Sequence, residues 1–340
     1  MSRKARLTMS NLNAVTMIIR TVGERTEEAC RASIRAQGVD DAQIVTVREA
    51  PFSKAMRVGF ETGIAAGLDW TFCIDADVIM RPGSIAAMMQ QAVLQPANIF
   101  ELQGLVLDKL FVTLREAGNH LFRTSLLPQM IELIPEEGVS LRPETTAMEG
   151  MRSRGYPWAR VPYVVGLHDF GQSNRDIFRK CYTHAQKHSH LLNELLPKMR
   201  ARAPTDHDFA VAIAGLAEGL KATSAVRIDI AHRPFAERFE ALGIEEKSPC
   251  GTEEFTPDAV EMILRDYGQA DDLTVRFLPF SGPEAIALDG TTRLTKPLRW
   301  RALWRRKQQR HGTGGAVLHT MGHGIEQVGL WLQKHAGENR

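Results

Sequence analysis

The run Trp70-Thr71-Phe72-Cys73-Ile74, ending in Asp75-Ala76-Asp77, constrains this chain more than any other stretch. Consecutive apolar, aromatic and β-branched residues read as a strand buried on both faces. Two carboxylates at the end of such a strand need partners. An unpaired charge at the rim of a core is costly, and a divalent cation removes that cost. Asp-X-Asp sends both side chains the same way from one strand end, so the pair can share a single hard metal. Residues 78–84 then read as a turn through Pro82-Gly83, with Ser84 capping a helix that runs to about Val93.

Two strand–helix units precede this strand. Residues 14–19 form a first apolar strand that enters a polar turn at 20–25. A helix follows over 26–37, with Thr26 as its N-cap and Gly38 as its stop. Residues 43–47 are a second strand. The helix over 52–66 places Ala55, Val58, Gly59, Thr62 and Ala66 on its packing side. A β-α-β-α-β order predicts parallel strands with right-handed crossovers and a ligand site at their carboxyl ends. Arg20, Glu49 and Asp75 all fall at such ends.

The order of these pieces carries a family resemblance. Gly23-Glu24-Arg25-Thr26-Glu27-Glu28 follows the first strand, and Ser33-Ile34-Arg35-Ala36-Gln37 closes the first helix. Ser53-Lys54-Ala55-Met56-Arg57-Val58-Gly59-Phe60 opens the second, ahead of Asp75-Ala76-Asp77 and Arg81-Pro82-Gly83. Together they resemble the nucleotide-sugar-dependent glycosyltransferases of the GT-A fold, within it glycosyltransferase family 2. The resemblance implies an α/β, mostly parallel, Rossmann-like sheet flanked by helices, with a smaller C-terminal extension. It implies Mn²⁺ or Mg²⁺ on Asp75 and Asp77 against the donor diphosphate, and a nucleoside, UDP or GDP, held by Thr21, Glu24 and Glu49 beside Arg20. Lys54 or Arg57 then lies near ribose or phosphate.

Residues 144–156 resemble the family's acidic motif, which opens with Glu-Asp and reaches a Gly eleven positions later. Glu144 and Gly155 keep that spacing, but Thr145 replaces the Asp that usually acts as base, leaving Glu144 and Glu149 as alternatives. A late strand over 161–167 ends in His168-Asp169, and the resemblance implies that His168 is a further metal ligand. Neutral imidazole suits Mn²⁺ beside carboxylates. Residues 171–175 read as a mobile loop able to close over the diphosphate, leading into a basic helix that carries Arg175, Arg179 and Lys180. His184 and His188 have an i,i+4 spacing without the intervening Glu of a zinc helix, and read as a solvated face.

The remaining sequence bounds the surroundings. A net charge of +2 over 340 residues gives no pull toward nucleic acid. Four widely spaced cysteines without a Cys-x-x-Cys pair read as reduced thiols, and no signal peptide or spanning segment is evident, so a cytoplasmic location is expected. The expected division is a catalytic domain over 1–222, an α+β extension over 223–290 and a basic amphipathic segment over 291–340. Within 296–310, seven Lys and Arg residues surround Trp300, Leu303 and Trp304, the pattern of a helix lying on an anionic membrane surface beside a glycan or lipid-linked acceptor. Two other functions start from the same residues. One is a haloacid-dehalogenase-like phosphohydrolase with Asp75 as nucleophile and Asp77 as acid/base. The other is a scaffold that binds nucleotide sugar without turnover.

Overall fold

The computed structural model describes residues 12–222, 235–270 and 273–275. The basic segment over 296–310, the strand expected at 225–230 and most of the late strand expected at 273–278 lie outside the described residues.

The first three strands run parallel as expected. Strand β1 (Val15–Thr21) lies between β2 (Ile44–Arg48) and β3 (Trp70–Asp75), with Arg20 level with Asp75. Helices α1 (Glu27–Arg35) and α2 (Phe52–Ala66) make the crossovers. The period-two geometry of the strands sorts their side chains to two faces. Met17, Ile19, Phe72 and Ile74 pack with Ala29, Cys30 and Ile34 of α1 in one cluster. Ile18 and Cys73 point the other way, to Met56 and Phe60 of α2. Thr26 begins α1 but caps nothing with its side chain. Its hydroxyl donates to the carbonyl of Ala76, tying the helix start to the Asp-X-Asp turn.

The sheet then turns antiparallel. Residues 121–127 read in the sequence as a turn entering a helix; 121–123 instead belong to strand β7 (Asn119–Arg123), which pairs with β3, and 124–127 form the turn into the next helix. The full order is β2-β1-β3-β7-β5-β6-β9, where β5 is Glu101–Asp108, β6 Thr113–Arg115 and β9 Thr274–Val275. Strand β8 (Trp158–His168) runs parallel to β5. Part of the expected 78–84 turn is a strand, β4 (Val78–Met80), which pairs antiparallel with β8 and sets Val78 opposite His168. Gly166 permits this approach, because a Cβ there would stand 2.3 Å from the carbonyl oxygen of Ile79. Helix α3 (Ser84–Val93) follows, N-capped by Gly83 in the left-handed region and not by a side chain of Ser84.

Helices α4 (Leu127–Ile131) and α5 (Pro143–Ser153) cover the α2 face of the sheet. A separate cluster joins α6 (Asn174–Lys187), α7 (Leu192–Arg202), α8 (His207–Leu220) and α9 (Ala236–Ala241). Helix α10 (Pro257–Gly268) places Val260 and Leu264 in the same core as β1 and β3. Within the described part of the expected extension, α10 thus shares the core of the N-terminal sheet, while α9 packs in the separate helical cluster. No described helix is long and apolar enough to cross a membrane.

Candidate functional site

The carboxyl ends of β1, β2, β3 and β8 open on one cleft of about 350 Å³. It is lined by Arg20, Thr21, Glu24, Glu49, Asp75, Asp77 and His168, seven of the residues singled out in the sequence. Lys54 adjoins it through a 2.7 Å ion pair to Glu49. Arg57 does not reach it, because its guanidinium donates to the carbonyls of Ile131 and Ile134 at the end of α4. Arg175 stacks over Phe239 at the start of α6 and lies outside the lining. Residues 171–175, expected as a mobile loop, pack against the start of α1. Gln172 is fully buried and donates to Thr26 Oγ1, and Ser173 caps α6.

Asp75 and Asp77 go to different partners. Asp75 Oδ1 accepts from Arg20 Nε at 2.8 Å, and Arg20 Nη1 donates to Glu144 Oε1 at 2.7 Å. Glu144 Oε2 lies 2.9 Å from Nε2 of the buried His120, whose Nδ1 is 2.6 Å from Glu101 Oε1. Burial works against charge on the Glu144 carboxyl, but Arg20 and His120 outweigh it and hold the group far below the ordinary range. A carboxylate so held is a weak base, and Glu144 does not line the cleft. Glu149 is also outside it, on the surface of α5, paired to Arg152 at 2.5 Å.

Asp77 meets His168 and the adjacent Asp169, and these three can offer ligand atoms within 4.8 Å of one another. The β4–β8 register produces the meeting, since the residues flank the facing pair Val78 and His168. Asp169 was not foreseen. It sits at φ +65°, a left-handed conformation that Asp tolerates better than most residues and that marks a constrained position. Asp108 was also missed. Its Oδ2 lies 3.0 Å from His168 Nδ1 and 2.6 Å from Arg115 Nη2. Burial lowers the affinity of His168 for protons, but Asp169 and Asp77 overcome it and lift its pKa to about 10. Lys180 donates to both Asp77 and Asp169.

The donor set suits a divalent cation on two counts. Asp77 Oδ1 is buried with no hydrogen-bond partner among the described residues. His168 Nε2 stands 3.7 Å from that oxygen, too far for a hydrogen bond and close to the span of two donors around one ion at bonds of ~2.1 Å. A carboxylate behind the imidazole, the place Asp108 occupies, is the usual means of orienting a metal-binding His. Asp75 is not in this group. The structure thus joins two of the three expected metal residues and adds Asp169.

Nearer the β1 end, Glu24 folds back to accept from the amide of Val22 at 2.8 Å, with the Thr21 hydroxyl 2.7 Å away. Burial, then the charge of Asp77, raises the pKa of Glu24. Arg20 lies 4.9 Å over the ring of Phe52 and is almost wholly buried, yet its Nη2 has no acceptor among the described residues. Helix α6 lends the cleft Arg179, Lys180, Thr183, His184 and Lys187. His184 is half-buried, 4.7 Å edge-on to Phe111, and so is not on a solvated face.

No protein-family model and no curated protein matches this sequence. Among solved structures it is similar to a glycosyltransferase involved in glycosylation of the major capsid of PBCV-1. That likeness has 13% identity over 44% of this chain and 81% of the other, with a TM-score of 0.32. It is also similar to a candidate nucleotide-diphospho-sugar transferase from Desulfovibrio desulfuricans G20, at 10% identity over 61% and 97% of the two chains and a TM-score of 0.31. A third is the mannosyltransferase PcManGT from Pyrobaculum calidifontis in complex with GDP-Man and Mn²⁺, at 13% identity over 68% and 81%, with a TM-score of 0.31.

Proposed function

We propose that this chain is a divalent-metal-dependent glycosyltransferase that moves a sugar from a nucleoside-diphosphate sugar to a hydroxyl acceptor. The observation that carries the reading is the convergence of Asp77, His168 and Asp169 at strand ends, in one cleft with Thr21, Glu24 and Glu49. Asp77, His168 and Asp169 would hold Mn²⁺ or Mg²⁺, which when bound supplies positive charge to the departing diphosphate.

The protein's own residues do the rest. Thr21, Glu24 and Glu49 offer acceptors to the base and ribose, and the face of Phe52 gives an apolar floor. Arg20 is fixed by Asp75 and Glu144 and keeps one buried N–H group without an acceptor among the described residues, a donor available to the bound nucleotide. Because its other nitrogens are already engaged, that group is oriented before substrate arrives. The same fixing tells against a phosphohydrolase, in which Asp75 would have to attack phosphorus; here its carboxylate is ion-paired to a buried guanidinium.

Hydrolysis of a panel of sugar nucleotides with and without Mn²⁺, alongside thermal shift with UDP and GDP, tests the reading. Metal-dependent release of one nucleoside diphosphate supports it. General phosphate-ester cleavage refutes it in favour of a phosphohydrolase, and nucleotide-sugar binding without any turnover refutes it in favour of a scaffold.

A further inference from the structure

Helix α6 turns one stripe to the cleft, where Arg179, Lys180, Thr183, His184 and Lys187 recur at helical spacing. The first part of the stripe is neutralised. Arg179 lies 3.4 Å from Asp176, and Lys180 pairs with Asp77 and Asp169. The last turn is not. Lys187 has no carboxylate partner among the described residues. Its surroundings are burial and the cations Arg142 and Arg115, which together push its pKa down to about 8. His184 has a buried Nδ1 with no hydrogen-bond partner among the described residues. Arg142, exposed at the start of α5 beside the cleft mouth, donates from Nη2 to His188 Nε2 at 3.1 Å. Arg115 is already engaged by Asp108.

The end of α6 therefore gathers two cations and two imidazoles, and among the described residues neither cation has a carboxylate partner; the nearby Asp108 is taken up by Arg115 and His168. Like charges brought together repel, and an oxyanion placed among them turns that repulsion into attraction. The diphosphate of a sugar donor does not account for the cluster. Lys187 is seven residues past Lys180, about 10 Å along the helix axis, whereas the diphosphate is tied to the metal group at Asp77.

We propose that Lys187, His184 and Arg142 form a subsite for an oxyanion, a phosphate or carboxylate group, carried by the acceptor and bound without metal. The assignment to the acceptor rests on the glycosyl-transfer reading; the oxyanion site itself does not. An acceptor bearing such a group would be held by it at one end while its hydroxyl reaches the metal end of the cleft.

The test uses the full chain and inorganic phosphate as probe, with a chelator present, followed by calorimetry. Phosphate should bind wild type, and Lys187→Gln should weaken it about tenfold, the effect of losing one charge-assisted hydrogen bond. Arg142→Gln should act in the same direction, and Lys187→Arg should keep most of the affinity. UDP or GDP binding with Mn²⁺ should be unchanged in all three. Phosphate binding that is absent, or indifferent to both neutralising variants, overturns the subsite. Loss of nucleoside-diphosphate binding together with phosphate assigns the oxyanion to the donor and overturns the acceptor assignment. Lys187-dependent phosphate binding in a wild type that binds no nucleoside diphosphate upholds the site and refutes the transferase reading beneath it.

Discussion

Asp75 and Asp77 are two residues apart, yet they belong to two buried charge networks of opposite character. The first is a fixed chain, Glu101–His120–Glu144–Arg20–Asp75, in which each link is 2.9 Å or shorter. Its cations are an imidazole clamped between two carboxylates and a planar guanidinium, groups with little freedom once bonded. The second joins Asp77, Asp169, His168 and Asp108; Arg115 holds Asp108 at its far end, and the cation on Asp77 and Asp169 is Lys180, a point charge on a four-carbon stem. One oxygen of Asp77 is left over. The first network has leftovers too among the described residues, Arg20 Nη2 and Glu101 Oε2, but Glu101 does not line the cleft; the spare oxygen of Asp77 lies in the cleft beside His168 and Asp169, where an added cation gains most. The comparison assigns structure to the first and metal chemistry to the second, and each assignment can be broken.

The largest expected effect is in the second network. Asp77→Asn should lower Mn²⁺-dependent turnover by about a thousandfold, roughly 4 kcal/mol of transition-state stabilisation, while the unfolding midpoint stays within a few degrees. Near-normal activity with Mn²⁺ still required would remove Asp77 from the metal group and erase the contrast.

Glu144→Gln should act the other way round. It leaves His120 and Arg20 short of a buried partner, which costs about 3 kcal/mol of stability, read by urea unfolding. Mn²⁺ affinity measured by calorimetry should stay within about twofold, since the variant touches no proposed ligand. A stable variant that binds metal poorly would show that Glu144 belongs to the chemistry and not to the scaffold.

Much of this division was legible in the sequence, and the reasons for the gaps are physical. The parallel unit through β3 follows from periodicity and turn chemistry, and α2 falls on the residues expected. Asp77 and His168 were visible because each ends an apolar run. Asp169 and Asp108 were not: Asp169 meets Asp77 through the short β4 strand, whose three residues carry no period, pairing with β8 some ninety residues away, and Asp108 meets His168 through the long-range β5–β8 register. His120 had a weak signal. Glu101 and Gln103 alternate on an otherwise apolar strand, which implies a buried polar partner on that face, and His120 is that partner. Glu144 and Glu149 were drawn into the site by a motif spacing alone, and spacing within one helix does not say which way that helix faces.

Lys180→Met sharpens the contrast from a third side. If the ammonium stands where a divalent cation must act, removing it should tighten Mn²⁺ binding about tenfold, near 1.4 kcal/mol, even as the metal-free protein becomes less stable. The paired readout matters, because a purely structural lysine would lower stability and leave metal affinity unchanged or weaker. Weaker binding would mean that Lys180 holds the carboxylates in place for the metal and does not compete with it.

The smallest effect separates the networks by pH. Burial lowers the pKa of His120, but Glu144 and Glu101 more than reverse this and lift it to about 10. His168 also rises to about 10, through Asp169 and Asp77 acting against burial. The unfolded chain releases such a proton near 6.5. Each imidazolium therefore contributes stability that is fully present below about 6.5 and is lost as pH rises toward 10. Between about pH 7 and 7.5, about a unit below the point at which the thiols of the unfolded chain are half ionised, each should give a falling slope of at most about 1.4 kcal/mol per pH unit. His120→Gln should remove one share of that slope whether or not metal is present. Saturating Mn²⁺ should remove the other share, because a metal on His168 takes the place of its proton in the folded state. In His120→Gln with Mn²⁺, the stability from pH 7 to 7.5 should then be nearly flat. A slope that survives Mn²⁺ at full size would leave His168 outside the metal group, and a slope untouched by His120→Gln would mean that the closed chain does not hold its imidazole charged.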